Sequence, residues 1–277
     1  MKLIAGMDKL SSVPVVYNEL DEAIRNMRVS ASHISSIISK DTGLTARLLR
    51  IVNSAFYSFP RKIDTISRAV IIVGTQQLRD LALATSIISS FKDIPENRIT
   101  VESFWKHSIA CGIAARCIAG YFKEPNIERY FVAGILHDIG RIVLVTKAPD
   151  LAEEIFRNAD RTGQPLFLAE RAVMGCDHGA IGSDLVRLWQ LPRCYEEIIG
   201  FHHQPNQADL YKLETSVVHI ADVIAHAMML GNSGERGVPP VYEEAWKETG
   251  LSVDLLPYIM DTVEKQYHDS VNGFIFN

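Results

Sequence analysis

The sequence predicts an all-α protein, a helical bundle with a small helical subdomain at its N-terminal end. Three observations carry that prediction. Apolar residues recur at helical spacing in segment after segment. Helix-starting and helix-stopping residues fall between these segments. No segment shows the strict alternation of a half-buried strand, and there is no internal repeat or low-complexity tract.

In Thr42–Asn53, Leu44, Leu48, Ile51 and Val52 share one face, with Arg47 at its edge and Arg50 beyond it. Ile66, Ala69, Val70 and Val73 repeat the pattern, and Gly74 is the expected stop. Gln76–Phe91 follows with Leu78, Leu81, Ala82 and Ala84, and Phe59-Pro-Arg-Lys62 is a tight connection. The polar run Asp93-Ile-Pro-Glu-Asn-Arg98 marks a boundary. Three parts are therefore expected: 1–98, a helical subdomain; 99–231, the main bundle; and 232–277, a helical extension.

Beyond the boundary a long helix is expected over Val101–Phe122, ending before Pro125, and another from Ile127 through His137-Asp138. Pro149 opens a further helix, Thr162-Gly-Gln-Pro165 forms a turn, and Asp177 caps a helix that Leu191-Pro192 closes near Trp189. Residues 193–204 and 211–230 make two more, the second ending at Gly231-Asn-Ser-Gly234. The tail from Pro239 holds two amphipathic pieces.

A composition of 47% hydrophobic and 22% charged residues is that of a globular protein. The net charge of −5 is unevenly spread, because residues 1–98 carry 13 Lys/Arg against 9 Asp/Glu and the remainder 15 against 24. That basic excess is too small to argue for nucleic acid. Ser32–Val52 has the helix-glycine turn-helix form of a DNA reader, but an αα-corner with an exposed polar face has the same pattern. Cys111, Cys117, Cys176 and Cys194 contain no C-x-x-C pair, which suits packing residues in a reducing compartment. Met1–Asp8 is too short for a signal peptide and no apolar run can cross a bilayer, so a cytoplasmic protein is expected with no membrane partner.

The chemistry concentrates at His137-Asp138, inside the apolar run Phe131-Val-Ala-Gly-Ile-Leu-His-Asp-Ile-Gly140. A charge among apolar residues is costly unless something pairs it, and a metal ion does so well. His107, His178, His202-His203 and Asp222 stand at intervals suited to separate helices and could complete an imidazole and carboxylate set. Asp138 could then bridge two ions while His137 binds one. His219 and His226 lie at i−3 and i+4 from Asp222, on its face of the helix, where either could orient the carboxylate.

This order resembles the HD superfamily of metal-dependent phosphohydrolases, whose His, His-Asp and distal Asp correspond to His107, His137-Asp138 and Asp222. Members that bind two metals add two histidines, matched by His178 and His202, and the run H-D-I-G-R fits as well. The first third, Asp41-Thr-Gly-Leu-Thr-Ala-Arg-Leu-Leu-Arg-Ile-Val-Asn-Ser-Ala-Phe-Tyr57 and Phe59–Gly74, is similar to the HDOD family, the HD-related output domain of bacterial signalling proteins. The resemblance covers roughly residues 10–230. It implies an HDOD fold with an HD-like bundle. Many HDOD members have lost the ligands and act as binding modules, whereas this chain keeps them.

The resemblance implies two divalent transition ions (iron, manganese, zinc or nickel) and phosphoester hydrolysis at Asp138, with Arg141 toward the phosphate. A nucleotide or cyclic dinucleotide is the implied substrate class. The related HD-GYP enzymes carry a Gly-Tyr-Pro motif where this chain has Gln204-Pro-Asn-Gln-Ala-Asp209, and an acidic residue where it has Ser103. A third metal is therefore not expected, and His203 would lie behind the ligands. Two other readings remain. One is a non-catalytic output module that binds a partner protein through the helices after Pro239, with a structural or vestigial metal. The other is a diiron oxygenase of HD type. With no receiver or sensor segment in the sequence, a signalling partner would act in trans.

Overall fold

The computed structural model describes residues 15–25, 30–91 and 98–275, apart from the side chain of Asn272. Among them are fifteen α-helices and two short 3-10 turns, with no strand. The N-terminal helices are α1 (Val15–Arg25), α2 (Ala31–Ile38), α3 (Thr42–Val52), α4 (Ile66–Val73) and α5 (Thr75–Ser90). The bundle comprises α6 (Val101–Tyr121), α7 (Ile127–Leu136), α8 (Ile139–Lys147), α9 (Pro149–Thr162), α10 (Leu166–Met174), α11 (His178–Leu188), α12 (Arg193–Phe201) and α13 (Lys212–Ala227). Two helices close the chain, α14 (Glu243–Thr249) and α15 (Leu256–Ile275). No helix among the described residues is long and apolar enough to cross a membrane.

Local chemistry explains where the helices begin. The side chains of Ser30, Asp41, Thr65, Thr100 and Asp177 each accept a backbone N–H from the first turn of α2, α3, α4, α6 and α11. Pro149 supplies the first residue of α9, where its missing N–H removes nothing the helix would use. Of the expected boundary segment, residues 93–97 lie outside the described residues, as does Met1–Asp8, while Arg98 pairs with Glu153 and Asp160 of α9.

The buried α6 forms the axis, with α7, α13 and α15 against it. Gly134 on α7 meets Gly112 on α6, and a Cβ at Gly134 would come within 2.6 Å of the Gly112 Cα. The two backbones can therefore touch. A Cβ at Gly140 would collide with the carbonyl of His178, so the start of α8 lies directly on the start of α11. These two close approaches draw α6, α7, α8 and α11 to one point.

One apolar core runs through all three expected parts. Phe56, after α3, packs on Phe131 of α7 with ring centroids 4.7 Å apart. Phe274 of α15 lies 5.2 Å from Phe131 and 6.3 Å from Phe56. Arg116 caps the group with its guanidinium 4.0 Å above the Phe56 ring. The last helix thus returns to join the N-terminal helices to the bundle.

One expected helix is broken. The segment from Ile127 does not run through His137-Asp138; α7 ends at Leu136 and α8 starts at Ile139. The carbonyl of Gly134 accepts from the His137 ring at 2.6 Å, and Asp138 takes φ −96°, ψ 6°, outside helical values. The pair therefore sits at a kink, and Asp138 heads α8 rather than riding on a continuous helix.

Candidate metal centre

Four helix packings converge on this kink. His107 comes from the middle of α6, His137 and Asp138 from the α7–α8 break, and His178 from the first position of α11. His202 and His203 follow the end of α12, and Asp222 and His226 lie one turn apart on α13. His107, His137, His178 and His202 are fully buried, and Asp138 and Asp222 nearly so.

The two oxygens of Asp138 face different groups. Its Oδ1 lies 2.8 Å from His178 Nε2 and 3.8 Å from His202 Nε2. Its Oδ2 lies 3.3 Å from His137 Nε2 and 3.8 Å from His107 Nε2. Asp222 Oδ1 completes the second group, 3.0 Å from His107 Nε2 and 3.4 Å from His137 Nε2. In the first group the Nε2 atoms of His178 and His202 are 3.2 Å apart, and His203 Nε2 is 3.0 Å from His178 Nε2.

The outer hydrogen bonds set the tautomers. A carbonyl only accepts, so His137 Nδ1–H donates to Gly134 and His202 Nδ1–H donates to Ile199 at 2.8 Å. His178 Nδ1–H donates to Glu170 at 2.6 Å, and the same carboxylate accepts the His178 backbone N–H at 2.8 Å. In the neutral rings each Nε2 is then free of a proton and aimed inward, the arrangement in which metal-binding imidazoles are held. His137 Nε2 and Asp138 Oδ1 make no hydrogen bond despite their close neighbours.

Donors bound about 2.1 Å from one ion lie roughly 3.0 Å apart in an octahedron and roughly 3.4 Å in a tetrahedron. Most of the separations just given fall between 2.8 and 3.4 Å. The donor set therefore fits metal ions on either side of Asp138, and buried His/Asp groups able to bind metal are present.

The electrostatics agree. Burial pulls the Asp138 carboxyl up, but Arg141, His137 and His178 hold it well below the usual carboxylate range. Asp222 is held down against burial by His226, His107 and His137. Burial pushes His107 down to about 4 and, with the nearby His137 and His178, His202 to about 3. Burial and Arg141 pull His178 down as well, but Glu170 and Asp138 outweigh them and hold it at about 9. Without a cation, protons on some rings balance the buried carboxylates.

Each residue expected from the sequence, His107, His137, Asp138, His178, His202 and Asp222, stands in this cluster. His203 joins the His178 group, with Phe167 stacked on its ring at 4.3 Å. Arg141 is buried, so the surface ion pair that is its ordinary alternative is absent. Its Nη1 lies 3.1 Å from Asp138 Oδ2 and 2.7 Å from Ser233 Oγ. Of the two candidates beside Asp222, His226 reaches it, with Nε2 at 3.3 Å. His219 faces elsewhere: its Nδ1–H donates to the His202 carbonyl at 2.8 Å and its Nε2 accepts the Tyr242 N–H at 2.9 Å. It holds the backbone of a candidate ligand rather than the carboxylate. At Ser103, the carbonyl accepts the Asn232 N–H at 3.0 Å and Gly231 packs directly on the α6 backbone.

Sequence reasoning missed Glu170 and Ser233. Glu170 is fully buried within Leu166-Phe-Leu-Ala-Glu-Arg-Ala-Val-Met174, and a lone acid on an otherwise apolar helix face was its only signal. Ser233 lies in a loop with no periodicity to read. A surface cavity of about 670 Å³ borders that loop and is lined in part by Glu235, whose carboxylate lies 3.9 Å from Arg141. A cavity of about 710 Å³ lies between α3 and α15, away from the cluster.

Known proteins place this architecture. The HDOD domain family matches residues 10–205. A protein of Treponema pallidum (strain Nichols), itself uncharacterized, is 26% identical over 219 residues; they are 78% of this chain, which spans only 42% of that relative's length. An HDOD domain protein of unknown function from Geobacter sulfurreducens has a similar structure, with a TM-score of 0.78 at 23% identity over 96% of this chain and 93% of its own. A Shewanella amazonensis SB2B protein provisionally named a phosphohydrolase gives 0.78 at 24%, over 98% and 97%. Another from that organism, provisionally named a metal-dependent phosphohydrolase, gives 0.69 at 19%, over 99% and 98%. At these identities the structural likeness speaks for the fold, and the sequence match speaks for the family: the chain belongs to the HDOD family.

Proposed function

We propose that this protein is a signal-transduction HDOD protein that acts as a metal-dependent phosphohydrolase on a nucleotide or cyclic dinucleotide. The observation that carries the reading is the buried donor set, with three imidazoles turned inward by Gly134, Glu170 and Ile199. His107, His137, Asp138 and Asp222 would hold one divalent ion and Asp138, His178 and His202 the other. Such a pair lowers the pKa of a shared water and clamps a phosphate ester.

The chain's own residues do the rest. Asp138 divides its oxygens between the two groups, and Glu170 takes the His178 Nδ1–H, which turns Nε2 toward Asp138. Arg141 is the cation beside the Asp138 carboxylate shared by the two groups, and its bidentate fork suits phosphate. Its partners Ser233 and Glu235 come from the loop after α13. A phosphate reaching Arg141 would take their place, so this loop would govern entry. The naming of a Shewanella protein of similar fold as a metal-dependent phosphohydrolase accords with this reading.

The test is metal content by mass spectrometry beside a phosphodiesterase and nucleotidase screen, wild type against Asp138→Ala. About two transition ions per chain and a hydrolysis that the folded variant lacks are expected. Equal hydrolysis in the variant would remove the site from the reaction.

The near-complete burial of the cluster favours a second reading, a non-catalytic output module whose metal is structural and which binds a signalling protein in trans. Chelation that melts the fold while no hydrolysis is ever detected would select it.

A further inference from the structure

We propose that His226 is a direct metal ligand, joining His107 and Asp222 around one ion. This inference rests on the metal-centre reading and adds a donor that the HD ligand order does not contain. Asp222 and His226 both lie beyond the residues matched by the family.

The geometry turns on one oxygen. Three ring nitrogens approach Asp222 Oδ1: His107 Nε2 at 3.0 Å, His226 Nε2 at 3.3 Å and His137 Nε2 at 3.4 Å. A carboxylate oxygen has two lone pairs and accepts about two good hydrogen bonds. Three imidazoles crowded on it are better explained as neighbours around a common cation, and all three distances match the roughly 3.0–3.4 Å between donors of one ion. His107, Asp222 and His226 also form a compact donor group by themselves, and the His107 and His226 rings lie 4.3 Å apart at 39°. Helical periodicity supplies the placement, since residues four apart on α13 share a face.

The consequence is an asymmetric centre. His107, Asp222 and His226 form one compact donor group, and Asp138, His178, His202 and His203 form another. Nitrogen-rich sets of this kind favour a first-row transition ion over magnesium or calcium. His226 is also the least enclosed imidazole on the Asp222 side, with 8% of its side chain exposed, so a small molecule can reach its place.

The experiment uses the full chain, stripped with a chelator and titrated with Co²⁺, whose visible absorbance reports coordination number. Wild type is compared with His226→Gln and His226→Gly. The expected result is that one of two bound Co²⁺ ions weakens about 10- to 100-fold in both variants, with a changed absorbance. Millimolar imidazole should restore the wild-type spectrum of His226→Gly. Variants that bind Co²⁺ with unchanged affinity and spectrum would overturn the proposal and leave the metal centre standing. A spectral change in a folded His226→Gly protein that imidazole fails to reverse would assign His226 a packing role and overturn it too. If wild type takes up no Co²⁺, the metal-centre reading and this proposal fall together.

Discussion

The N-terminal helices and the bundle solve the problem of burial in opposite ways. In α1–α5 the interior is almost wholly apolar, and its buried acid, Asp80, is answered by Arg79 from the adjacent position, with Nη2 at 2.8 Å. In the bundle the interior holds His107, His137, Asp138, His178, His202 and Asp222 together. Apolar packing stabilises the first region as it stands. In the second, desolvation of several charges opposes folding unless a cation or well-placed protons answer them. The first region should therefore respond to packing mutations and the second to metal and pH.

The most severe break in that contrast is Asp138→Ala. It removes the carboxylate common to both donor groups, so bound metal should fall to near zero. Loss of one partner from a buried charge cluster costs about 3–5 kcal/mol, which for a chain of this size lowers Tm by on the order of 10 °C. Metal analysis and calorimetry check both numbers.

Phe56→Ala should be about as damaging to stability, roughly 3–5 kcal/mol for a buried aromatic, because it opens the junction with Phe131 and Phe274. Metal content per folded chain should stay at the wild-type value. A parallel loss of metal would show that the two regions do not respond separately.

Glu170→Gln keeps the size of the side chain but weakens the bond that orients His178. Metal affinity should fall about 10- to 100-fold, measured by competition with a chelator, and the ion-free protein should also melt lower at neutral pH, because Glu170 stabilises the protonated His178.

The sign of the pH dependence follows from His178, held up at about 9 by Glu170 and Asp138 against burial and Arg141. Its folded pKa lies above the ordinary 6.5, so its contribution to the ion-free fold is complete below pH 6.5 and is lost as pH rises through about 9. A cation must displace that proton. Metal affinity should therefore rise with pH between 7 and 9, with proton release on loading. Calorimetry in two buffers of different ionisation heat reads the protons directly, and an affinity that is flat over this range would refute the assignment.

The smallest effect belongs to a cap. Asp41 accepts the Leu44 N–H at 2.9 Å at the start of α3, and Asp41→Ala should cost about 1 kcal/mol without touching metal content. Denaturant unfolding would show it.

The helices themselves were legible in the linear code. Apolar spacing located α3, α4 and α5, and Asp177, Pro149 and Gly74 marked ends that lie within a residue or two of the observed ones. The candidate site was legible as a set of residue types in order, because buried imidazoles and carboxylates in apolar context are rare enough to be noticed one by one. The break at His137-Asp138 was not legible. Helical periodicity continues through it, but the His137 ring bonds the Gly134 carbonyl that a continuous helix would use.

By itself, then, the sequence determined the helical class, most helix ends and the residue types available to a metal, since these depend on interactions between residues a few positions apart. The tertiary structure decided which of those residues meet. Glu170 and His178 are eight positions apart, His107 and Asp222 more than a hundred, and His219 turned to the His202 carbonyl rather than to the acid three residues away. Such pairings follow from how helices cross, and here the crossings were set by the bare backbones of Gly112 against Gly134 and of Gly140 against His178.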